Sequence, residues 1–428
     1  MPKISDKKIV EEIEEEILSA RNKNEAYEAI WGSFYDNDAK CDKACGRGVK
    51  ILILNAPCHG FGDIIFAMKL AGYLRQWYDA KVTIATTMPD GFKKLGESGD
   101  NLVSLGGGGP QCRRFSRLEM DRDLPQQDLV FVAPLQADLS VKMSDVRNLV
   151  PYANKLNTFF FSEYNDSAKK KFDFPSGVGK ENMGLMMIDT KSGGRLPKLK
   201  NPYALVYIAE TIPASDNCFM AFLEMVTAKY SYKKFDVVVP KWISDSTSFD
   251  KRIKNRVVEY GTIAVVNSSG ETRYIRKLGS NTLTLRGDVL PVPNKEMISV
   301  MKHSVRDILL TGDQSITDAL SCCPGKNIFY QIAPWKESFG NELAKHLPNK
   351  YLKRKKTSCG TLMAIRYDSN YKKFVEKWDF RKMARPKMDA VVRSAIAIKK
   401  NKDVAELADI ILRSKKLRTM KDKVEALE

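Results

Sequence analysis

The order of apolar and polar positions divides the chain into alternating strands and helices. Ile51-Leu52-Ile53-Leu54 is a continuous apolar run, the pattern of a strand buried on both faces of a parallel sheet. It leads through Asn55-Ala56-Pro57-Cys58-His59-Gly60-Phe61-Gly62 to Asp63, which opens a helix carrying Leu70, Ala71 and Leu74. Another apolar strand follows at Lys81-Val82-Thr83-Ile84-Ala85. Strand, glycine turn, helix, strand is a βαβ unit, and ligands of such units bind at the carboxyl ends of the strands. Gly60 and Gly62 let the backbone come close to a ligand, and the helix start offers free N–H groups to an anion. Asp63 is therefore placed either as a cap or as a general base.

Further strands are expected at Asp128–Pro134, Tyr203–Ala209, Phe235–Pro240, Thr262–Val266, Thr282–Leu285, Asp307–Thr311 and Asn327–Ile332. Helical spacing marks Phe219–Val226 and Asn294–Met301. The acidic block Glu11–Glu16, with Ile9, Ile13, Ile17 and Leu18 at helical spacing, predicts a helix within Ser5–Phe34. Gly106-Gly107-Gly108-Gly109-Pro110 reads as a loop, and the Gly, Pro and Lys content of Lys191–Pro202 as an interdomain linker. The chain thus divides into a helical extension over 1–46, a first Rossmann-like domain over 47–192 and a linker over 193–202. A second Rossmann-like domain over 203–367 and a basic helical extension over 368–428 complete it, with Trp378 and Phe380 able to anchor that extension. The fold class is α/β, built on two parallel-sheet domains.

A second cluster of polar residues follows the strand Asp307–Thr311: Gly312-Asp313-Gln314-Ser315-Ile316-Thr317-Asp318. Strand, glycine, polar cluster, helix is again an anion-binding arrangement, in which N–H groups and the Ser315 and Thr317 hydroxyls hold a phosphate. The alternative is that Asp313 or Ser315 merely caps the helix. The strand Asn327–Ile332 delivers Ala333-Pro334-Trp335-Lys336 to the same rim. Glu210 ends the first strand of the second domain, as a ligand contact or as a helix cap.

Composition narrows the classes. A chain of 428 residues exceeds one ordinary core. No apolar stretch reaches the roughly 18–20 residues of a membrane span, and the start lacks a signal-peptide pattern, so a soluble, cytoplasmic protein is expected. The 8 cysteines are not expected to form a disulfide framework. Cys41-x3-Cys45 is an incomplete metal pair, and His59, His303 and His346 are the only histidines, so no four-ligand zinc set is visible. The net charge of +18 is concentrated beyond His346, in runs such as Lys353-Arg354-Lys355-Lys356 and Lys415-Lys416-Leu417-Arg418. Such runs form either a solvated helical face or a surface for polyanions and anionic lipid.

Two βα domains joined by a linker, with Gly60-Phe61-Gly62-Asp63 in the first and Gly312-Asp313-Gln314-Ser315 in the second, resemble a GT-B glycosyltransferase, nearest to the heptosyltransferase-like families. The resemblance spans roughly Arg47 to Pro348 and rests on short motifs. It implies two Rossmann-like domains facing across a cleft. It implies Asp63 as catalytic base, with Gly60 and Gly62 beside the acceptor and His59 assisting the base or binding acceptor. It implies Gly312, Asp313, Gln314, Ser315 and Thr317 at the donor diphosphate, with Lys336 and Glu210 as further donor contacts. Arg273 and Lys277 are the other candidate cations, each otherwise a surface charge. The chain departs from the family pattern by reading Asp-Gln-Ser-Ile-Thr-Asp where many relatives have Thr/Ser-Gly-x-x-His. Its paired cysteines and lysine-rich style resemble proteins of large DNA viruses.

The implied activity is transfer from a UDP- or GDP-linked sugar to a hydroxyl of a glycan or glycoprotein acceptor. A base at Asp63 favours inversion, with retention left open, and the lack of an Asp-x-Asp motif at a strand end favours metal independence. No cofactor is implied beyond that donor. Two other classes stay open. One is a sugar-nucleotide epimerase or hydrolase using Asp313 or Asp318 as a second acid/base. The other is a nucleic-acid-binding or virion structural protein that uses the basic C-terminus.

Overall fold

The computed structural model describes residues 8, 11, 15, 19, 41–57, 61–97, 101–106, 115–136, 141–166, 172–189, 196, 199–347, 352–366 and 371–413. The described residues group into two compact units. One combines Met1–Pro89, Ser98–Ser176 and Phe380–Glu428; the other combines Asp90–Glu97 with Gly177–Asp379.

The first unit is built on a six-stranded sheet: β1 (Lys50–Asn55), β2 (Lys81–Thr86), β3 (Leu102–Gly106), β4 (Glu119–Met120), β5 (Leu129–Leu135) and β6 (Thr158–Ser162). Their order is β4-β3-β2-β1-β5-β6, and only the β3–β4 pairing is antiparallel. β1 and β5 lie centrally, so their side chains are covered on both faces, and Ile51 to Asn55 and all of β5 are buried. That is why these segments read as unbroken apolar runs. Helix α1 (Gly62–Tyr78) returns the chain from β1 to β2.

The second unit carries nine strands. They are β7 (Tyr203–Tyr207), β8 (Lys234–Val238), β9 (Thr262–Val266), β10 (Thr272–Lys277), β11 (Thr282–Arg286), β12 (Asp307–Thr311), β13 (Asn327–Ile332), β14 (Leu352–Thr357) and β15 (Gly360–Arg366). The order is β10-β9-β11-β8-β7-β12-β13-β15-β14, parallel from β9 to β13 and antiparallel at both edges. Helix α2 (Ser215–Lys229) follows β7, α3 (Asn294–His303) precedes β12, and α4 (Asp313–Cys322) joins β12 to β13. One core cluster of the unit runs from Ala204, Val206 and Phe219 to Val265, Leu285 and Leu309. Both units are therefore α/β with parallel-dominated sheets, as the apolar runs imply.

Three sequence expectations are corrected. Cys41 and Cys45, which the sequence shows only as an incomplete metal pair, form a disulfide. One helical turn, Lys43–Gly46, brings their Cα atoms to 5.3 Å, within disulfide range. The run Lys353–Lys356 lies in β14, an edge strand, and not on a helical face. The second sheet is mixed, because the β14–β15 hairpin and β10 add antiparallel edges. Of the N-terminal helix, Lys8, Glu11, Glu15 and Ser19 are described, all helical and exposed. His59, Gly60, the glycines 107–109, Lys415–Arg418 and linker residues 193–195, 197 and 198 fall outside the described residues. Among the described residues no helix is long and apolar enough to cross a membrane.

Helix α5 (Arg385–Lys400) is fastened to the first unit by buried polar contacts. The Tyr78 hydroxyl donates to Asp389 (2.5 Å), and Arg385 donates to Asp389 (2.6 Å) and to the Cys41 carbonyl (2.9 Å). The Arg385 guanidinium also lies over the Trp77 and Tyr78 rings at 4.7 and 4.9 Å. Phe380 is fully buried against Tyr73 and Phe161, while Trp378 is buried beside the His346 ring.

The amino-terminal ends of β12 and β13 hold charge. Burial alone would raise the Asp307 carboxyl, but donors from Lys229 (2.5 Å), Tyr230 (2.6 Å) and Asn327 (2.8 Å) lower it overall. Lys326 donates to the Ser304 and Val305 carbonyls, and burial lowers its pKa to about 8. An unfolded lysine titrates at about 10.4, so the unfolded chain binds more protons between the two values. Stability should therefore rise as pH climbs from about 8 towards about 10.4. Urea unfolding across that window should show the rise in the natural chain and a flatter profile in Lys326→Met. An identical rise in both proteins would exclude Lys326 as its origin.

Candidate functional site

In the first unit the site begins where β1 ends. Asn55 is fully buried, and a buried amide needs partners. Its Nδ2 donates to the carbonyls of Ala133 (3.0 Å) and Asp63 (3.2 Å), and its Oδ1 accepts from the Thr86 hydroxyl (3.1 Å). Thr86 Oγ1 in turn accepts the Met88 amide at 3.1 Å. One side chain thus ties the carboxyl ends of β1, β2 and β5 to the first turn of α1. Asp63 stands in that turn, half-buried, and the helix has no side-chain cap at Phe61. A carboxylate there is favoured by the helix dipole. Gly62 opens the helix, and a Cβ on it would meet nothing within 4 Å.

In the second unit Gly312 takes φ +94°, a conformation that L side chains rarely adopt, between β12 and α4. Asp313 opens α4 and pairs with Lys336 at 2.9 Å. Burial pushes the Tyr330 phenol well up, and the adjacent Asp313 carboxylate adds to the shift. The negative charge at this helix start is therefore matched from within the protein. Gln314 is buried and Ser315 half-buried. Thr317 is fully buried and its hydroxyl donates to the Asp313 carbonyl at 2.7 Å, one turn back along the helix. Asp318 is also buried and accepts from Asn294 at 2.9 Å. Gly312, Asp313, Gln314, Ser315, Thr317 and Lys336 thus come together at the carboxyl ends of β12 and β13. Trp335, 59% exposed, stands on the same rim.

Gln331 performs in this sheet what Asn55 does in the other. It is fully buried, and its Oε1 accepts from the Ser215 (3.1 Å) and Thr311 (3.3 Å) hydroxyls. Its Nε2 donates to the Pro213 and Cys359 carbonyls, both at 3.4 Å. The turn after β7 is fixed by this amide and by Ser215, whose hydroxyl also donates to the Ala209 carbonyl at 2.7 Å.

Beside that turn opens a cavity of about 410 Å³, at the carboxyl ends of β7 and β8. Glu210 and Thr211 form its exposed rim, Ala214 and Ser215 the start of α2, and Trp242, Ser246 and Phe249 the facing wall. Ala214 takes φ 65°, and α2 has no side-chain cap. The Trp242 indole donates to the Ile208 carbonyl (3.1 Å), which fixes its ring in the wall. Arg273 pairs with Asp250 (3.0 Å) and donates to the Ser244 and Ser246 carbonyls, so this candidate cation braces the cavity wall. Lys277 lies over the Tyr274 ring (4.9 Å) at the far end of β10. Sequence reasoning passed over Asn55, Gln331 and the Trp242 wall. The available signal was a polar amide at the end of a buried apolar strand, in each sheet.

No family model matches this chain, and no curated protein matches it. Among solved structures, Phytolacca americana UGT2 complexed with UDP-2-fluoro-glucose and pterostilbene is 13% identical, with 85% of this chain and 99% of that one covered at a TM-score of 0.37. The E. coli heptosyltransferase WaaC with ADP is 10% identical, covering 64% and 86% at 0.32. An alpha-glucosyltransferase in complex with UDP and a 13-mer DNA containing a HMU base is 10% identical, covering 88% and 99% at 0.38. Likenesses this distant assign no activity to the chain.

Asn55→Ala should cost about 2–3 kcal/mol, since it removes three bonds and leaves the buried Ala133 carbonyl without its donor. Urea denaturation measures this directly, and a change under about 0.5 kcal/mol, the level of an ordinary surface substitution, would show that the amide does not hold the strand ends.

Proposed function

We propose that this protein is a glycosyltransferase that moves a sugar from a UDP- or GDP-linked donor to an acceptor hydroxyl, with inversion and without a metal. The carrying observation is the cavity of about 410 Å³ at the carboxyl edge of the second sheet. That edge is where open parallel sheets hold nucleotides, and the volume is in the range of small-molecule sites. Its indole and phenyl wall suits a base or sugar ring. The GT-B resemblance of the Gly62-Asp63 and Gly312-Asp313-Gln314-Ser315 segments supports the same reading.

In this reading the second unit holds the donor and the first supplies the base. Asp63 accepts the proton of the acceptor hydroxyl while its oxygen bonds to the sugar C1. The bond from C1 to the diphosphate oxygen breaks, and its electron pair leaves with the diphosphate. Because Asp313 is already neutralised by Lys336, backbone N–H groups and the Ser315 hydroxyl carry the stabilisation of the leaving group. Glu210 on the cavity rim is suited to hydroxyls of the donor.

A thermal-shift screen against UDP, GDP, ADP, CMP and their sugars tests the donor half. A ligand at about 100 times its Kd should add about 2.7 kcal/mol of stability. Asp63→Asn should keep that shift and lower transfer by about 10²–10⁴-fold. No shift with any nucleotide overturns the reading, and full transfer by Asp63→Asn removes Asp63 as base.

A further inference from the structure

Three of the largest exposed apolar side chains of the second unit crowd the end of its sheet opposite the cavity. Leu278 is 85% exposed, Val258 71% and Tyr232 41%. They come from separate segments that the backbone stitches together. The Leu278 amide donates to the Gly261 carbonyl (2.9 Å), the Thr282 amide to the Lys233 carbonyl (2.8 Å) and the Asn281 amide side chain to the Glu259 carbonyl (2.6 Å). Gly261 and Gly279 meet so closely that a Cβ on Gly261 would lie 2.8 Å from the Gly279 Cα. Arg276 adds donors to the Val257 and Tyr260 carbonyls, at 2.9 and 3.0 Å. The rim is therefore a rigid platform and not a set of independent loop tips. Lys233, Lys234 and Lys277 stand exposed around it.

We propose that this rim docks the protein onto an anionic lipid surface. Aliphatic side chains this exposed gain by entering the acyl boundary, whereas a nucleic acid offers Leu278 and Val258 little apolar surface to bury. The lysines complement anionic headgroups, each long side chain placing its charge at the phosphate level. The rim lies at the amino-terminal ends of β8, β9 and β11, and the cavity at the carboxyl ends of β7 and β8. A membrane held at one end leaves the other open. The inference rests on the rim alone and not on the transferase reading.

The test is co-sedimentation of the full chain with vesicles of phosphatidylcholine alone and with 30% phosphatidylserine added. Binding should be at least tenfold tighter to the anionic vesicles and weaken as salt rises from 50 to 300 mM. Val258→Asp/Leu278→Asp and, separately, Lys233→Glu/Lys234→Glu should each lower it at least fivefold. Because these positions are exposed, both variants should keep the natural unfolding midpoint, read in parallel. Equal binding to both vesicles, or binding unchanged in the Val258/Leu278 variant, overturns the proposal. So does tighter binding to duplex DNA than to the vesicles, or dimerisation in light scattering that the Val258/Leu278 variant abolishes.

Discussion

A parallel sheet ends in a row of carbonyls and amides that no neighbouring strand can pair, and the structure depends on how those ends are closed. Each unit closes them with one buried amide. Asn55 ties β1, β2 and β5 to the first turn of α1, and Gln331 ties the turn after β7 to the ends of β12 and β15's preceding turn. A side-chain amide suits this because it both donates and accepts in one plane, so a single residue satisfies several chains at once. The cost of leaving such a group unpaired is what makes the arrangement rigid. Asp63 and the cavity loop inherit their positions from these two residues.

The charged groups follow a related economy. Most of the cations that sequence reading offered to a ligand are already engaged by the protein. Arg273 braces the Ser244–Ser246 wall, and Lys336 neutralises Asp313. A buried or half-buried charge survives only with a partner, so these pairings set the geometry before any ligand arrives. The starts of α4 and α2 both lack a side-chain cap, and each carries a first-turn aspartate paired with a cation, Asp313 with Lys336 and Asp216 with Arg252.

Hydrophobic patterning alone set the alternation of strand and helix and the α/β character of both units. It did so through central strands such as β1, β5 and β12, whose burial on both faces forces unbroken apolar runs. It also located the turns at Gly62-Asp63 and Gly312-Asp313, because glycine at a strand end has few other uses. The edge strands escaped it: β10 and β14 are rich in Lys and Arg, and a strand paired on one side needs no apolar run. Tertiary structure alone decided the return of α5 to the first unit. It also decided that Trp242, Phe249 and Glu210, distant in sequence, line one cavity. Local pattern records which side chains must be buried; which partners they meet is settled only when separate segments compete for the same space.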